Sequence, residues 1–393
     1  MSRRTVTLVV LWLTAANLRA AIFAIQPVLP DIRHDLALSF SATGALTSTA
    51  IAVIGFASIP GAYVGLLLGA RRTVWVMAVG MAVASVLRLV SPQAVWVFVG
   101  TGLLALAVSC SQPAVAVVIR RWFLDRLHRA TSVYANGILV GGTIGAAVTP
   151  LVAATLGWRA SFLLWAGISA AVGVAWALLM PRSDAPVPRL HLVEALGSRR
   201  AWQITALFAF QNFAYFATAA WVPFLLAGRS PAYVSWVFTC LNLLPIFPLL
   251  VLPGLRWPFA TSRAFYAGSG LIALTGAGGL ALGLSDAAWW LAFLVGLGCA
   301  AAFVGSMALA PLVARDDAEA GSITAIVFAF GYVLAFGSPL LSGVLVDATK
   351  DVRSAFWPPV AGAVLMTVLG LLVPSLLART RATEEVPAPS YVK

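Results

Sequence analysis

One continuous apolar run, residues 287–313, reads AAWWLAFLVGLGCAAAFVGSMALAPLV and indicates the fold class. It contains no Asp, Glu, Lys, Arg or His, and its apolar residues run on without a period of two. In lipid, only helices and closed barrels satisfy their backbone hydrogen bonds. A continuous apolar run of about 18 residues or more is typical of a transmembrane helix. We therefore predict that residues 287–313 cross a membrane as a helix.

The composition of the whole chain has the same character. Of 393 residues, 61% are hydrophobic and only 10% are charged, whereas soluble domains carry about 25% charged residues. The mean hydropathy is +0.96. These values exclude a secreted disulfide scaffold, a disordered chain and a DNA-binding module. The three cysteines lie in apolar runs without disulfide or metal-ligand spacing, so neither is predicted.

Similar apolar runs recur along the chain and predict twelve transmembrane helices. In the first half we place spans one to six at 5–28, 42–68, 73–90, 94–119, 131–154 and 160–180. In the second half we place spans seven to twelve at 202–226, 232–252, 263–284, 287–313, 320–345 and 355–377. The first run is too long for a cleavable signal peptide and contains Arg19. We expect an all-α, multi-pass membrane protein in contact with the lipid bilayer.

The basic residues predict the orientation and explain the net charge of +12. If both termini lie on the same side, 18 of the 25 Lys and Arg residues fall on that side, five fall on the other, and Arg19 and Arg88 fall within spans. Short cytoplasmic loops carry such an excess. We therefore predict cytoplasmic termini and a location in the cell (inner) membrane. The charge is a topology signal and does not indicate nucleic acid.

A polar stretch at 181–200 divides the chain into two halves of six spans, residues 1–180 and 201–393, the second ending in a short cytoplasmic tail. We predict a cytoplasmic linker between two six-helix pseudo-repeats, as in transporters built from parallel repeats. Spans five and eleven are both rich in small residues and proline, which allow close helix approach. We expect the two spans to lie at the interface between the halves, although generic packing remains the alternative for any single glycine. The candidate gating residues are Gly141, Gly145 and Pro150 in span five, and Gly337 and Pro339 in span eleven.

None of the 13 acidic residues and none of the three histidines falls inside a predicted span. Proton-coupled transporters usually carry the proton on such a group, so this distribution disfavours a proton-driven antiporter. An intramembrane enzyme is disfavoured as well, since no acid/base pair or ligand cluster lies at depth. We predict no enzymatic activity, no cofactor and no metal.

Arg19 lies near the middle of span one. An Arg that faces lipid at this depth costs about 2.5–3.5 kcal/mol on insertion scales, so we expect Arg19 to face a cavity. Its planar guanidinium suits an anionic substrate. The alternative is a structural Arg bonded to backbone carbonyls at a helix break. For Arg88, at the outer end of span three, we favour snorkelling to the interface.

Uncharged polar residues mark further candidate positions on the cavity. Gln211 and Tyr215 are four residues apart and share a helical face. Hydrogen bonding between helices without a ligand remains the alternative for each such residue. With Arg19, the predicted substrate-binding residues are Asn17, Gln112, Asn136, Gln211, Tyr215 and Tyr332.

Several short motifs together resemble one transporter family. They are Asn17-Leu18-Arg19, Arg120-Arg121-Trp122-Phe123, Gly157-Trp158-Arg159, Trp221-Val222-Pro223 and Gly331-Tyr332. Because these motifs occur in this order, the chain resembles the major facilitator superfamily. Within that superfamily it resembles the bacterial cyanate porter family, which includes transporters for cyanate and nitroimidazoles. The resemblance implies alternating access around a central site. The superfamily usually carries an Asp before the basic pair between spans two and three, whereas Arg71 and Arg72 follow Gly69-Ala70 here. We retain this pair as candidate gating residues.

We therefore predict a monomeric secondary transporter that moves a small anion or small polar organic solute, with Arg19 as its charged ligand. The main alternative is a proton-coupled multidrug-type efflux antiporter, which the absence of acidic residues from the predicted spans disfavours. A transporter-like receptor that binds solute without moving it is a third possibility.

Overall fold

A computed structural model describes residues 3–90, 93–123, 127–181, 196–247, 262–314 and 317–372. Within these ranges all regular secondary structure is helical, which confirms the all-α prediction. Most of the predicted linker, residues 182–195, and the predicted tail beyond residue 372 lie outside the described residues.

The first six predicted spans form helices close to the expected positions. Span one ends at Phe23 and is followed by a 3-10 turn and a short helix, Leu29–Asp35. Spans five and six form one helical segment that turns at Gly157, where the backbone φ of +81° favours glycine. The segments are Arg3–Phe23, Phe40–Leu68, Ala70–Leu87, Ala94–Trp122 and Leu127–Leu179.

The second half repeats this pattern with two differences. Span eight is helical over Pro231–Asn242, and residues 248–261 lie outside the described part of the chain. Span eleven consists of two helices that meet at Phe336. The remaining helices of this half are Arg199–Leu225, Arg263–Ala281, Ala288–Val313, Asp317–Ala335, Gly337–Thr349 and Trp357–Leu372.

Nine segments of the described residues are long and apolar enough to cross a membrane. They account for ten predicted spans, because the segment Arg129–Leu179 contains spans five and six. The other two are span seven, whose helix Arg199–Leu225 carries several amide side chains, and the short helix of span eight. The chain is a multi-pass membrane protein, and the count of twelve is consistent with these segments.

Helix contacts fall into two similar sets. In the first half, span one packs on span five, span four on spans two and three, and span three on span six. In the second half, span seven packs on spans eleven and twelve, span ten on spans eight and nine, and span nine on span twelve. Between the sets, span two contacts span eleven and span five contacts span eight. A cavity lies between these two sets of helices.

Candidate substrate cavity

A cavity of about 120 Å³ lies where spans from both halves meet. Three of the predicted binding residues, Arg19, Gln211 and Tyr215, line it together. The rest of its wall is mostly apolar, with Phe23 of span one and Phe303 of span ten among its residues. Ligand pockets commonly combine an apolar wall with a few placed polar groups.

Arg19 contributes the charge of this cavity. Its side chain is partly exposed, and its guanidinium carbon lies 4.7 Å from the centre of the Phe23 ring. It forms no ion pair or hydrogen bond with any described residue. Gly142 of span five provides space for it, because a Cβ at position 142 would lie 3.1 Å from Cγ of Arg19. The cationic head is therefore available to a solute.

Gln211 adds an unused hydrogen-bond donor. Its side chain is only 3% exposed, and its Nε2 has no hydrogen-bond partner among the described residues. An unsatisfied buried amide costs about 1–3 kcal/mol. A solute that accepts a hydrogen bond in the cavity relieves that cost.

Tyr215 is held in place by a neighbouring helix. Its hydroxyl donates a hydrogen bond to Oδ1 of Asn242 in span eight, and Nδ2 of Asn242 donates to the carbonyl of Phe238 at 2.8 Å. The Tyr215 ring packs against Phe23, with ring centres 6.0 Å apart. These two hydrogen bonds fix the position of the Tyr215 hydroxyl and leave its oxygen able to accept a further hydrogen bond.

Two predicted binding residues connect helices away from the cavity. Asn17 is 4% exposed, accepts a 2.9 Å hydrogen bond from Ser169 of span six, and contacts the sulfur of Met81 in span three. Asn136 is exposed and accepts a 2.8 Å hydrogen bond from the indole of Trp12. Neither residue lines the cavity, so we interpret both contacts as structural.

The other two predicted binding residues also lie outside the cavity lining. Gln112 is partly buried on span four. Tyr332 is 2% exposed and belongs to an aromatic cluster, where its ring stacks on Phe328 and meets Phe208 edge-on. This cluster joins spans seven and eleven inside the second half.

The two candidate gating glycines of span five, Gly141 and Gly145, do not lie between the halves. A Cβ at Gly141 would collide with the backbone of Ala16, and one at Gly145 with the backbone of Ala20. Both glycines therefore bring span five against span one of the same half, which corrects the expected placement. Pro150 is buried near the end of the same helix.

The span eleven pair is divided between two environments. Gly337 faces Phe213 of span seven, in the same half. The Pro339 carbonyl accepts a hydrogen bond from Trp221 of span seven and also contacts Gly44 of span two. Only Pro339 of the two therefore lies between the halves.

Arg71 and Arg72 differ in exposure. The Arg71 guanidinium donates a 2.7 Å hydrogen bond to the carbonyl of Ala177, and the Trp176 indole donates to the carbonyl of Arg71. These contacts join span three to the end of span six within one half. Arg72 is exposed.

Arg88 does not snorkel, which corrects the sequence interpretation. It is 2% exposed, and its guanidinium lies over the ring of Phe162 at 4.9 Å. Gly100 of span four makes room for it, since a Cβ there would lie 2.6 Å from Cγ of Arg88. This second cation lies inside the first half, directly after the helix Ala70–Leu87, and does not line the cavity.

Sequence reasoning did not assign Phe23 and Gly142 to the site. Phe23 lies four residues after Arg19 and therefore on the same helical face, a signal that was available. Gly142 has no comparable signal, because its role depends on which helix packs opposite it. Cys299, for which the sequence predicts neither a disulfide nor a metal site, also lines the cavity.

Comparison with known proteins agrees with this architecture. Residues 11–333 match the Major Facilitator Superfamily. The chain is 25% identical over 343 residues to the cyanate transport protein CynX of Escherichia coli (strain K12), covering 86% of this chain and 89% of that protein. It is 24% identical over 380 residues to the 2-nitroimidazole transporter of the same organism, covering 94% and 95%. These relatives confirm the resemblance to the cyanate porter family.

Solved structures share the fold. A bacterial homolog of the human lysosomal transporter Spinster, in an inward-facing and occupied conformation, superimposes with a TM-score of 0.78 at 15% sequence identity. The match covers 99% of this chain and 100% of that one. Since the family match spans most of the chain, the protein belongs to the major facilitator superfamily and is a membrane transporter rather than an enzyme.

Proposed function

We propose that the protein is a secondary transporter for a small anion, with Arg19 as the charged ligand of the solute. The supporting observation is that Arg19 is partly exposed in a cavity between the halves and is unpaired by any described residue. Gln211 supplies a further donor, and Tyr215, whose hydroxyl donates to Asn242, supplies an acceptor for a solute that also carries a donor. An anion in this position gains a charge-assisted hydrogen bond and satisfies a buried amide.

The size of the cavity limits the solute. Its volume of about 120 Å³ is below the range of about 300–1,000 Å³ that is usual for drug-sized ligands. A solute of a few non-hydrogen atoms or a single small ring therefore fits better than a large apolar drug. Two relatives are named as a cyanate and a 2-nitroimidazole transporter, and solutes of that size and polarity are the first to test.

We propose an arrangement in the cell (inner) membrane with both termini cytoplasmic. The first half comprises residues 1–180, the second residues 201–393, and residues 181–200 form a cytoplasmic linker. The excess of basic residues on one side supports this orientation. In this arrangement, the cavity lies on the path between the halves and the protein works as a monomer.

Binding and uptake in proteoliposomes test the proposal with cyanate, nitrate, small carboxylates and a nitroimidazole, with and without a pH gradient. Arg19→Gln is expected to weaken binding of the preferred anion about 10- to 150-fold, the range for one lost charged hydrogen bond. Arg159→Gln is the matched control, because Arg159 is exposed and pairs with Asp35 at 2.9 Å away from the cavity. Equal affinity in both variants refutes the role of Arg19. Proton movement out of the vesicle in step with solute uptake favours the alternative, a proton-coupled antiporter.

A further inference from the structure

One carboxylate of the second half caps a helix of the first half. Asp347 lies two residues before the end of the helix Gly337–Thr349 in span eleven. Its carboxylate accepts hydrogen bonds from the backbone N–H of Phe40 at 3.2 Å and of Ser41 at 2.7 Å, and from the Ser41 hydroxyl. All three donors belong to the first turn of span two, which begins at Phe40.

The start of span two needs this cap. The first four N–H groups of a helix have no partner within the helix, and their dipoles favour a negative charge. Ser39 satisfies one of them, because its side chain accepts a 3.0 Å hydrogen bond from the N–H of Ala42. Asp347 satisfies the N–H groups of Phe40 and Ser41. Two of these N–H groups, those of Phe40 and Ser41, therefore have this partner only when the two halves meet.

The backbones around this cap are in close contact. A Cβ at Gly44 of span two would lie 3.0 Å from the carbonyl carbon of Pro339 and closer still to its oxygen. One at Gly343 of span eleven would lie 3.0 Å from Cα of Ser41. The Ser48 hydroxyl also donates a hydrogen bond to the carbonyl of Phe336. Spans two and eleven are thus pressed together along this side of the protein.

Aromatic contacts close the same side. The Phe40 ring lies 6.0 Å from the ring of Trp221 and 5.8 Å from that of Phe224, both in span seven. Trp221 in turn donates a 3.1 Å hydrogen bond to the carbonyl of Pro339. The start of span two is therefore held by a charge, by close backbone contact and by aromatic packing, all from the other half.

We propose that Asp347 is a gating residue that holds this side of the transport path closed. To open the side, spans two and eleven must separate, and the carboxylate must then give up three hydrogen bonds while span two loses its cap. The strength of this cap sets the balance between the two access states. This inference depends on transport by alternating access but not on the identity of the solute or on Arg19.

Sided thiol labelling tests the proposal. Leu139 lines the cavity and is 44% exposed, so Leu139→Cys reports access after Cys110, Cys240 and Cys299 are replaced by Ala. The protein is reconstituted in vesicles of known orientation and labelled with a membrane-impermeant maleimide. Asp347→Asn removes the charge and one of the two acceptor oxygens, and it is expected to raise the labelling rate from the Asp347 side about tenfold, within the equilibrium effect of losing a partly buried charge at a helix N-terminus.

Asp351→Asn is the matched control. Asp351 is the next carboxylate along the chain, and it accepts hydrogen bonds from the backbone and side chain of Arg353 in its own loop. Labelling from the Asp347 side is expected to remain at the parent rate in this variant. If Asp347→Asn and Asp351→Asn are labelled equally from that side, the gating role is wrong.

A second pair of variants keeps the test independent of Asp347. Gly44→Ala places a methyl group against span eleven and is expected to open the same side. Gly268→Ala is its control, because a Cβ at Gly268 meets no atom within 4 Å. If Asp347→Asn does not fold, equal labelling of the two glycine variants overturns the proposal. Anion binding is measured separately. If the protein binds no anion, the labelling rates still test the gating role of Asp347.

Discussion

Gly141→Ala is a sharp test of how span one is positioned. The added Cβ would lie 2.6 Å from the carbonyl carbon of Ala16 and closer still to its Cα and oxygen, whereas ordinary contact begins at 3.4 Å. Spans one and five must therefore separate by at least about 0.8 Å to accept it. Arg19 lies one helical turn beyond Ala16, so the same displacement moves the guanidinium relative to Gln211.

Two opposing terms set the expected size of the effect. Replacing Gly by Ala inside a helix gains about 1 kcal/mol of helix propensity. Forcing a methyl group into a closely packed contact costs about 1–3 kcal/mol. Gly278→Ala measures the first term alone, because a Cβ at Gly278 meets no atom within 4 Å. We therefore expect Gly141→Ala to be less stable than Gly278→Ala by about 1–3 kcal/mol.

Thermal unfolding in detergent, followed by tryptophan fluorescence, compares the two variants. Anion binding is measured on the same samples, and only Gly141→Ala is expected to bind more weakly. Equal stability of the two variants would show that span five does not press on span one at this position. Reduced stability with unchanged anion affinity would show that span packing does not position Arg19.

Three further predictions concern single contacts. Asn17→Ala removes the acceptor for Ser169 and is expected to lower the free energy of unfolding by about 0.6–1.7 kcal/mol without changing anion affinity; reduced affinity at unchanged stability would return Asn17 to the binding site. Tyr215→Phe is expected to leave the binding of an anion without hydrogen-bond donors, such as nitrate, unchanged, because the hydroxyl donates to Asn242 and offers a solute only an acceptor; weaker nitrate binding would show that the hydroxyl turns to donate to the anion. Gly157→Ala is expected to lower the melting temperature, since the backbone at φ +81° and ψ 160° costs an L-residue about 1–3 kcal/mol, and an unchanged melting temperature would contradict this.

Much of the fold could be predicted from the sequence because the bilayer imposes a simple rule on it. A long apolar run must be a helix in lipid, so spans such as 287–313 could be placed within a few residues. The rule is less accurate for span eight, which is predicted at 232–252 but whose described helix ends at Asn242. The helix of span seven is less apolar because it carries Gln203, Gln211 and Asn212, and the last two of these line the cavity.

Helical periodicity identifies which residues share a face but not which helix lies opposite that face. Gln211 and Tyr215 could therefore be paired from their spacing, and both line the cavity. Gly141 lies in a span rich in glycine, as expected of a helix at the interface between the halves, yet it packs on span one. Gly343 also lies in a glycine-containing span, and it does contact span two of the other half. Which helix packs against a given glycine depends on tertiary contacts, and these cannot be predicted from the sequence of one helix.

Burial separates the two arginines that fall within predicted spans. Arg88 is enclosed by Gly100 and Phe162 at 2% exposure, so its charge contributes to the interior of one half. Arg19 is partly exposed beside Gly142, in a cavity that both halves line. A solute bound there contacts both halves at once, and its charge can then favour one arrangement of the halves over the other.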